Sequence, residues 1–97
     1  MDQFSFVVSD IFEEIEFSEN ERLSLNEPSC LSQVRLLTDW WGDKYEIIDF
    51  TGFTKRDAII RILAFYEDEN ILTGIGDHIF YEGFHIIDGV STIFLGS

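Results

Sequence analysis

The sequence predicts an α+β domain: two to three helices packed on a small antiparallel sheet, with a C-terminal hairpin turning at Asp88-Gly89. Three observations carry this. The first is composition. Of 97 residues 45% are hydrophobic, including ten Phe, three Tyr and two Trp, despite a formal net charge of −13. A disordered acidic chain lacks such residues, so this one reads as a single folded domain with a strongly negative surface. The second is Thr54-Lys55-Arg56-Asp57, a capping threonine with an acid three residues on, opening an apolar run at helical spacing. The third is a pair of β-rich runs, 78–84 and 90–95, separated by a dipeptide that tolerates positive φ.

Along the chain, Phe4, Phe6 and Val8 alternate at period two, whereas Val7/Val8, Ile11/Phe12 and Ile15 recur at helical spacing. The expectation is a strand over 4–8 and a helix over 9–16, capped by Ser9 or Asp10. Residues 17–26 are polar and read as loop, with 22–25 a candidate short strand. Asn26-Glu27-Pro28 has the composition of a helix start, since proline fits a first turn where its missing N–H would go unpaired anyway. Leu31, Val34, Leu37 or Thr38, and Trp41 then fall on one helical face, and Gly42 suits the stop. Residues 44–50 read as a strand with Tyr45, Ile47 and Asp49 on one side and Glu46, Ile48 and Phe50 on the other. The helix opened by Thr54 carries Ile59, Ile62, Leu63 and Tyr66, and is expected to end near Glu67. In the last hairpin Ile87 faces Val90 and Phe84 faces Ile93.

Charge bounds the function. Residues 1–28 hold Asp2, Asp10, Glu13, Glu14, Glu16, Glu19, Glu21 and Glu27 against Arg22 alone, while Lys44, Lys55, Arg56 and Arg61 cluster mid-chain. Such a surface excludes ordinary nucleic-acid binding and points to a positively charged protein partner, including a nucleic-acid-binding protein whose basic groove the carboxylates occupy as a phosphate mimic. Glu13, Glu14, Glu16, Glu19 and Glu21 are therefore the candidate partner-binding acids. Adjacent Trp40 and Trp41 join them, because exposed tryptophan marks contact hot spots. A solvated acidic face, and a ring that closes the core edge, are the plainer accounts of the same residues. Cys30 alone excludes an internal disulfide and fits a reducing, intracellular setting. The Met1-Asp2-Gln3-Phe4 start lacks the basic region of a signal peptide, and no run reaches the ~20 apolar residues of a membrane span.

No catalytic, cofactor-binding or metal site is expected. Asp77, His78, Glu82 and His85 have metal-ligand chemistry. In a regular strand His85 points away from His78 and Glu82, and a bulge at Gly83 is needed to join Glu82 with His85. Three ligands from one hairpin are unusual for zinc. Cys30 has no base beside it in sequence, and a small residue suits the first turn of the expected helix. Gly52-Phe53-Thr54-Lys55-Arg56 opens a helix with two cations but lacks the phosphate-loop pattern, so a plain capped helix is the simpler account. Paired carboxylates for hydrolysis need an apolar pocket, for which the sequence gives no sign.

Residues 76–84, GDHIFYEGF, and the ending Ile93-Phe94-Leu95-Gly96-Ser97 resemble small proteins encoded by large nucleocytoplasmic DNA viruses. The helix placed at 54–66 is similar in position. The resemblance spans the C-terminal half. It implies a viral protein acting inside an infected cell, in cytoplasm or nucleus, and carries over no catalytic residue. The sequence expectation is thus a non-enzymatic acidic binding protein. The alternatives are a homo-oligomeric structural or virion-associated protein and, behind it, a metal-dependent hydrolase.

Overall fold

The computed structural model describes residues 4–97; the acid Asp2 and the rest of the Met1–Gln3 start lie outside it. A 3-10 turn, Phe12–Glu14, is followed by α1 (Glu19–Ser24), β1 (Gln33–Leu37), β2 (Tyr45–Asp49), α2 (Lys55–Phe65), α3 (Glu69–Ile75), β3 (Phe80–Ile87) and β4 (Val90–Gly96). The strands form one sheet in the order β2-β1-β4-β3. β1 pairs antiparallel with β2 and β3 with β4, and the two hairpins join through a parallel β1–β4 pair. The α+β class holds, but the sheet is mixed rather than antiparallel. Two hairpins set side by side with a helical crossover between them leave one parallel seam.

Alternation along the strands divides the sheet into two faces. Val34, Leu36, Phe50, Tyr81 and Ile93 are buried and share one core with Ala58, Ile59, Ile62, Leu63 and Phe65 of α2 and with Ile75 of α3. Phe4, Phe6, Val8 and Leu25 complete that layer from the N-terminal segment. The thin dimension of the molecule, 18 Å, is what one layer of helices on one sheet occupies. The second sheet face carries Gln33, Arg35, Leu37, Tyr45, Ile47, Asp49, His85, Ile87, Thr92 and Phe94, by the register of the ladders.

The α2 helix begins as its sequence requires. Thr54 Oγ1 accepts from the Asp57 N–H and the Asp57 carboxylate accepts from the Thr54 N–H, each at 3.2 Å. Tyr66 caps its end, fully buried, with its hydroxyl donating to the Leu37 carbonyl at 2.7 Å. Burial pushes that phenol well above its ordinary pKa, so it remains a donor at every physiological pH. The Asp88-Gly89 turn has φ of 52° and 77°, the two positive values of a type I′ hairpin. Ile87 faces Val90 and Phe84 faces Ile93 as the sequence implied, and a bulge falls between Tyr81 and Phe84, where Gly83 has φ 108°. Gly89→Val is expected to lower stability by ~1 kcal/mol or more, because a β-branched residue resists positive φ. A urea denaturation midpoint unchanged from wild type would contradict this turn.

Five expectations are corrected. Residues 9–16 contain only the 3-10 turn, entered from Ile11 with no side-chain cap. Residues 4–8 are not a strand: they form a single bridge, Val7–Phe80, flanked by bonds from Val8 N–H to Ile79 O and from Tyr81 N–H to Phe6 O, and the chain turns at Val8. The polar stretch 17–26 is not a loop with a strand: Ser18 and Glu21 form a reciprocal capping box that starts α1. The stretch from Pro28 to Trp41 is not a helix. Pro28 bridges to Thr54, Cys30 sits at φ 60°, and Val34 and Leu36 alternate in β1 between two neighbouring strands. Lastly, Asp68-Glu69-Asn70 does not merely end α2; Asp68 accepts from the Asn70 N–H and caps α3.

Candidate functional site

Two surfaces stand out, on opposite layers of the molecule. The first is the N-terminal acidic face over α2. Phe12 is seated by Arg56, whose guanidinium lies over the ring at 5.2 Å, and by Phe17, whose ring is 5.5 Å away. Between the 3-10 turn and α2 runs a groove of about 250 Å³ lined by Ile11, Phe12, Glu13, Ile60, Leu63, Ala64 and Glu67. Its floor is apolar and its two polar linings are both carboxylates. Glu14, Glu16 and Glu19, next along the chain, are exposed. Among the described residues none of Glu13, Glu14, Glu16 or Glu19 has an ion-pair partner, whereas Glu27 binds Lys55 at 3.0 Å. Glu21 differs from its neighbours, because its carboxylate is held by the Ser18 N–H at 2.8 Å as part of the α1 cap.

The second surface is the outer sheet face. Trp40 and Trp41 lie in the β1–β2 connection and not on a helix; they are 47% and 75% exposed, with rings 5.1 Å apart in a T-shaped pair. A helix would have set them ~100° apart around its axis; the turn instead sends both outward. Trp40 is fixed by its N–H, which donates to Gly74 O at 3.0 Å, and by the His78 ring at 5.2 Å. Leu37, Trp40, Trp41, His78, Ile87 and Phe94 line a recess of about 330 Å³. In the middle of the face the Arg35 guanidinium lies 5.0 Å from the Tyr45 ring and donates to Ile87 O at 3.1 Å. Its Nε is buried without a partner among the described residues. Asp49, at the β2 end, is held below the usual carboxylate range by the Thr51 hydroxyl and then by the Thr51 N–H.

The remaining sequence candidates are dispersed. His78 packs on Trp40, His85 stacks on Phe94 at 4.1 Å, and Asp77 is 3.9 Å from His78. The bulge at Gly83 is present, but Glu82 lies against Gly96. Among the described residues no group of three His, Cys, Asp or Glu is placed to hold a metal ion. Cys30 is exposed in irregular chain at positive φ, not set in a helical first turn. The start of α2 is filled by the chain itself: Lys55 N–H donates to Glu27 O, Arg56 N–H to Leu25 O, and Asp57 N–H to Thr54. No anion is needed there. Among the described residues no helix is long and apolar enough to cross a membrane.

Sequence reasoning singled out the acids and both tryptophans but missed the α2 wall of the groove, Ile60 and Glu67. Ile60 follows Ile59 directly, and two adjacent apolar residues on a helix do not reveal which one is buried. No family model, no curated protein and no solved structure matches this chain.

Proposed function

We propose that this protein is a non-enzymatic binding module that holds a basic protein segment against its N-terminal acidic face. The supporting observation is the groove between the 3-10 turn and α2. Its apolar floor is rimmed by Glu13 and Glu67, with unpaired Glu14, Glu16 and Glu19 next along the chain. An amphipathic segment with Lys or Arg flanking apolar side chains satisfies both features. Apolar contact supplies affinity, and the carboxylates supply approach rate and selection against acidic partners. A nucleic-acid-binding protein offers such a segment, and the same charge keeps nucleic acid itself away. The C-terminal resemblance to proteins of large DNA viruses is the support for reading that action as one inside an infected cell. A second reading, a homo-oligomeric structural or virion-associated component, is favoured by the exposed apolar sheet face.

The test is a calorimetric titration with a Leu- and Arg-containing amphipathic peptide and with an equally charged peptide lacking apolar residues. The first should bind more tightly. Its affinity should fall steadily from ~0.1 M to ~1 M salt as the screening length shrinks from ~10 to ~3 Å. Reversing Glu13, Glu14 and Glu16 to Lys should weaken binding by tenfold or more, chiefly through slower association. Proteins captured from native cells by wild type but not by the reversed variant should be basic. Affinity that is flat with salt, or indifferent to the reversal, would remove the acidic face from the function.

A further inference from the structure

We propose that the outer sheet face is a self-association surface, on which a second copy of this chain packs sheet against sheet about a two-fold axis. Area is the first argument. Seven large apolar side chains on this layer stay between 38% and 75% exposed: Trp40, Trp41, Tyr45, Ile47, Phe80, Ile87 and Phe94. At ~150–250 Å² per aromatic side chain, the five aromatic residues alone leave roughly 400–600 Å² exposed, to which Ile47 and Ile87 add. That reaches the top of the ~300–600 Å² range for the largest patch on an ordinary monomer. It approaches the ~800 Å² per partner of a standard interface.

Charge selects the occupant. The chain carries −13 overall, whereas the strands of this face hold Arg35 with Asp49 and Glu82, one base against two acids. Glu13, in the groove against α2, lies on the opposite layer, and the exposed Glu14, Glu16 and Glu19 follow it in the chain. Two copies meeting here therefore keep their strongest like charges far apart. Shape agrees. The face carries both a largely exposed side chain, Trp41, and the recess that Trp41 walls together with Leu37, Trp40, Ile87 and Phe94. A two-fold interface needs such a patch, because each copy must present both the knob and its hole. Open antiparallel-type sheet faces bury one another at ~10 Å separation. The resulting dimer displays two acidic grooves outward, so a partner with two basic segments gains avidity.

The experiment is sedimentation equilibrium of the whole chain across salt. Wild type should sediment as a dimer. Association should hold or tighten from ~0.1 M to ~1 M salt, since screening relieves repulsion between two acidic chains. That is the opposite salt dependence from the basic-peptide titration, so each idea fails independently of the other. Trp41→Glu and Ile47→Glu, both at exposed positions, should each weaken association by a hundredfold or more with unchanged circular dichroism. The Glu13, Glu14, Glu16 reversal should leave association intact. A chain that stays monomeric at millimolar concentration would overturn the proposal. So would a dimer indifferent to Trp41→Glu, or a monomer that binds a different apolar protein through this face.

Discussion

Phe50→Ala is expected to lower folding stability by about 3–5 kcal/mol, the range for emptying an aromatic site in a core that cannot collapse around it. Phe50 is fully buried at the end of β2. Its ring leans on Phe53 at 5.2 Å, and its N–H donates to Ser32 O at 2.7 Å, so the backbone around the cavity is held from both sides. Against a total of ~5–15 kcal/mol for a domain of this kind, the loss brings the variant close to unfolding at physiological temperature. Urea denaturation monitored by tryptophan emission measures it. Ile47→Ala is the control: same strand, opposite face, half exposed, with an expected loss under ~1 kcal/mol. A larger loss at Ile47 than at Phe50 would mean that β2 has its faces reversed.

The β2 faces were legible from alternation alone, and so were the α2 cap and the last turn. In each case the local signal and the tertiary demand agree. Thr54 and Asp57 satisfy each other within one turn, and Asp88-Gly89 needs only its own φ values. The segment from Pro28 to Trp41 misled because two periods coexist in it. Leu31, Val34 and Leu37 fit a helix, while Val34 and Leu36 fit a strand, and the decision lies in residues far away. Strands β2 and β4 flank this segment and claim its backbone hydrogen bonds, which outweighs a propensity of a few tenths of a kcal/mol per residue. The α3 helix was legible but overlooked: Asp68 is a cap, and Ile71, Leu72 and Ile75 follow at helical spacing. For the candidate site, the acids and tryptophans were visible as residue types. Their separation onto two layers was not, because it follows from the helical crossover between the hairpins. Once Trp40 leaves a helix for a turn, it belongs to the sheet face rather than to the core edge.

That turn yields the second large effect. Gly74→Ala is expected to lower stability by about 1–3 kcal/mol, the range for overpacking a site with no slack. Gly74 lies within α3, where exchanging glycine for alanine would on propensity alone raise stability by up to ~1 kcal/mol. The sign therefore decides between the two effects. An added Cβ at Gly74 runs into the Thr38 carbonyl oxygen, which is backbone. Backbone there has little room to retreat. Thr38 N–H donates to Lys44 O at 2.9 Å, Trp40 N–H donates to Gly74 O at 3.0 Å, and Leu37 O accepts from the Tyr66 hydroxyl at 2.7 Å. Relief requires lifting the β1–β2 connection off α3, which carries Trp40 away from His78. Tryptophan emission should shift in the folded variant, and self-association through the sheet face should weaken in parallel. Gly96→Ala separates this from a general intolerance of glycine replacement. Its Cβ meets only the Glu82 carboxylate, the free end of an exposed side chain that can swing aside, so its cost should stay within ~0.5 kcal/mol. Should Gly74→Ala instead match or exceed wild type in stability, α3 would not be packed on the Thr38 backbone, and Trp40 would owe its outward position to the turn alone.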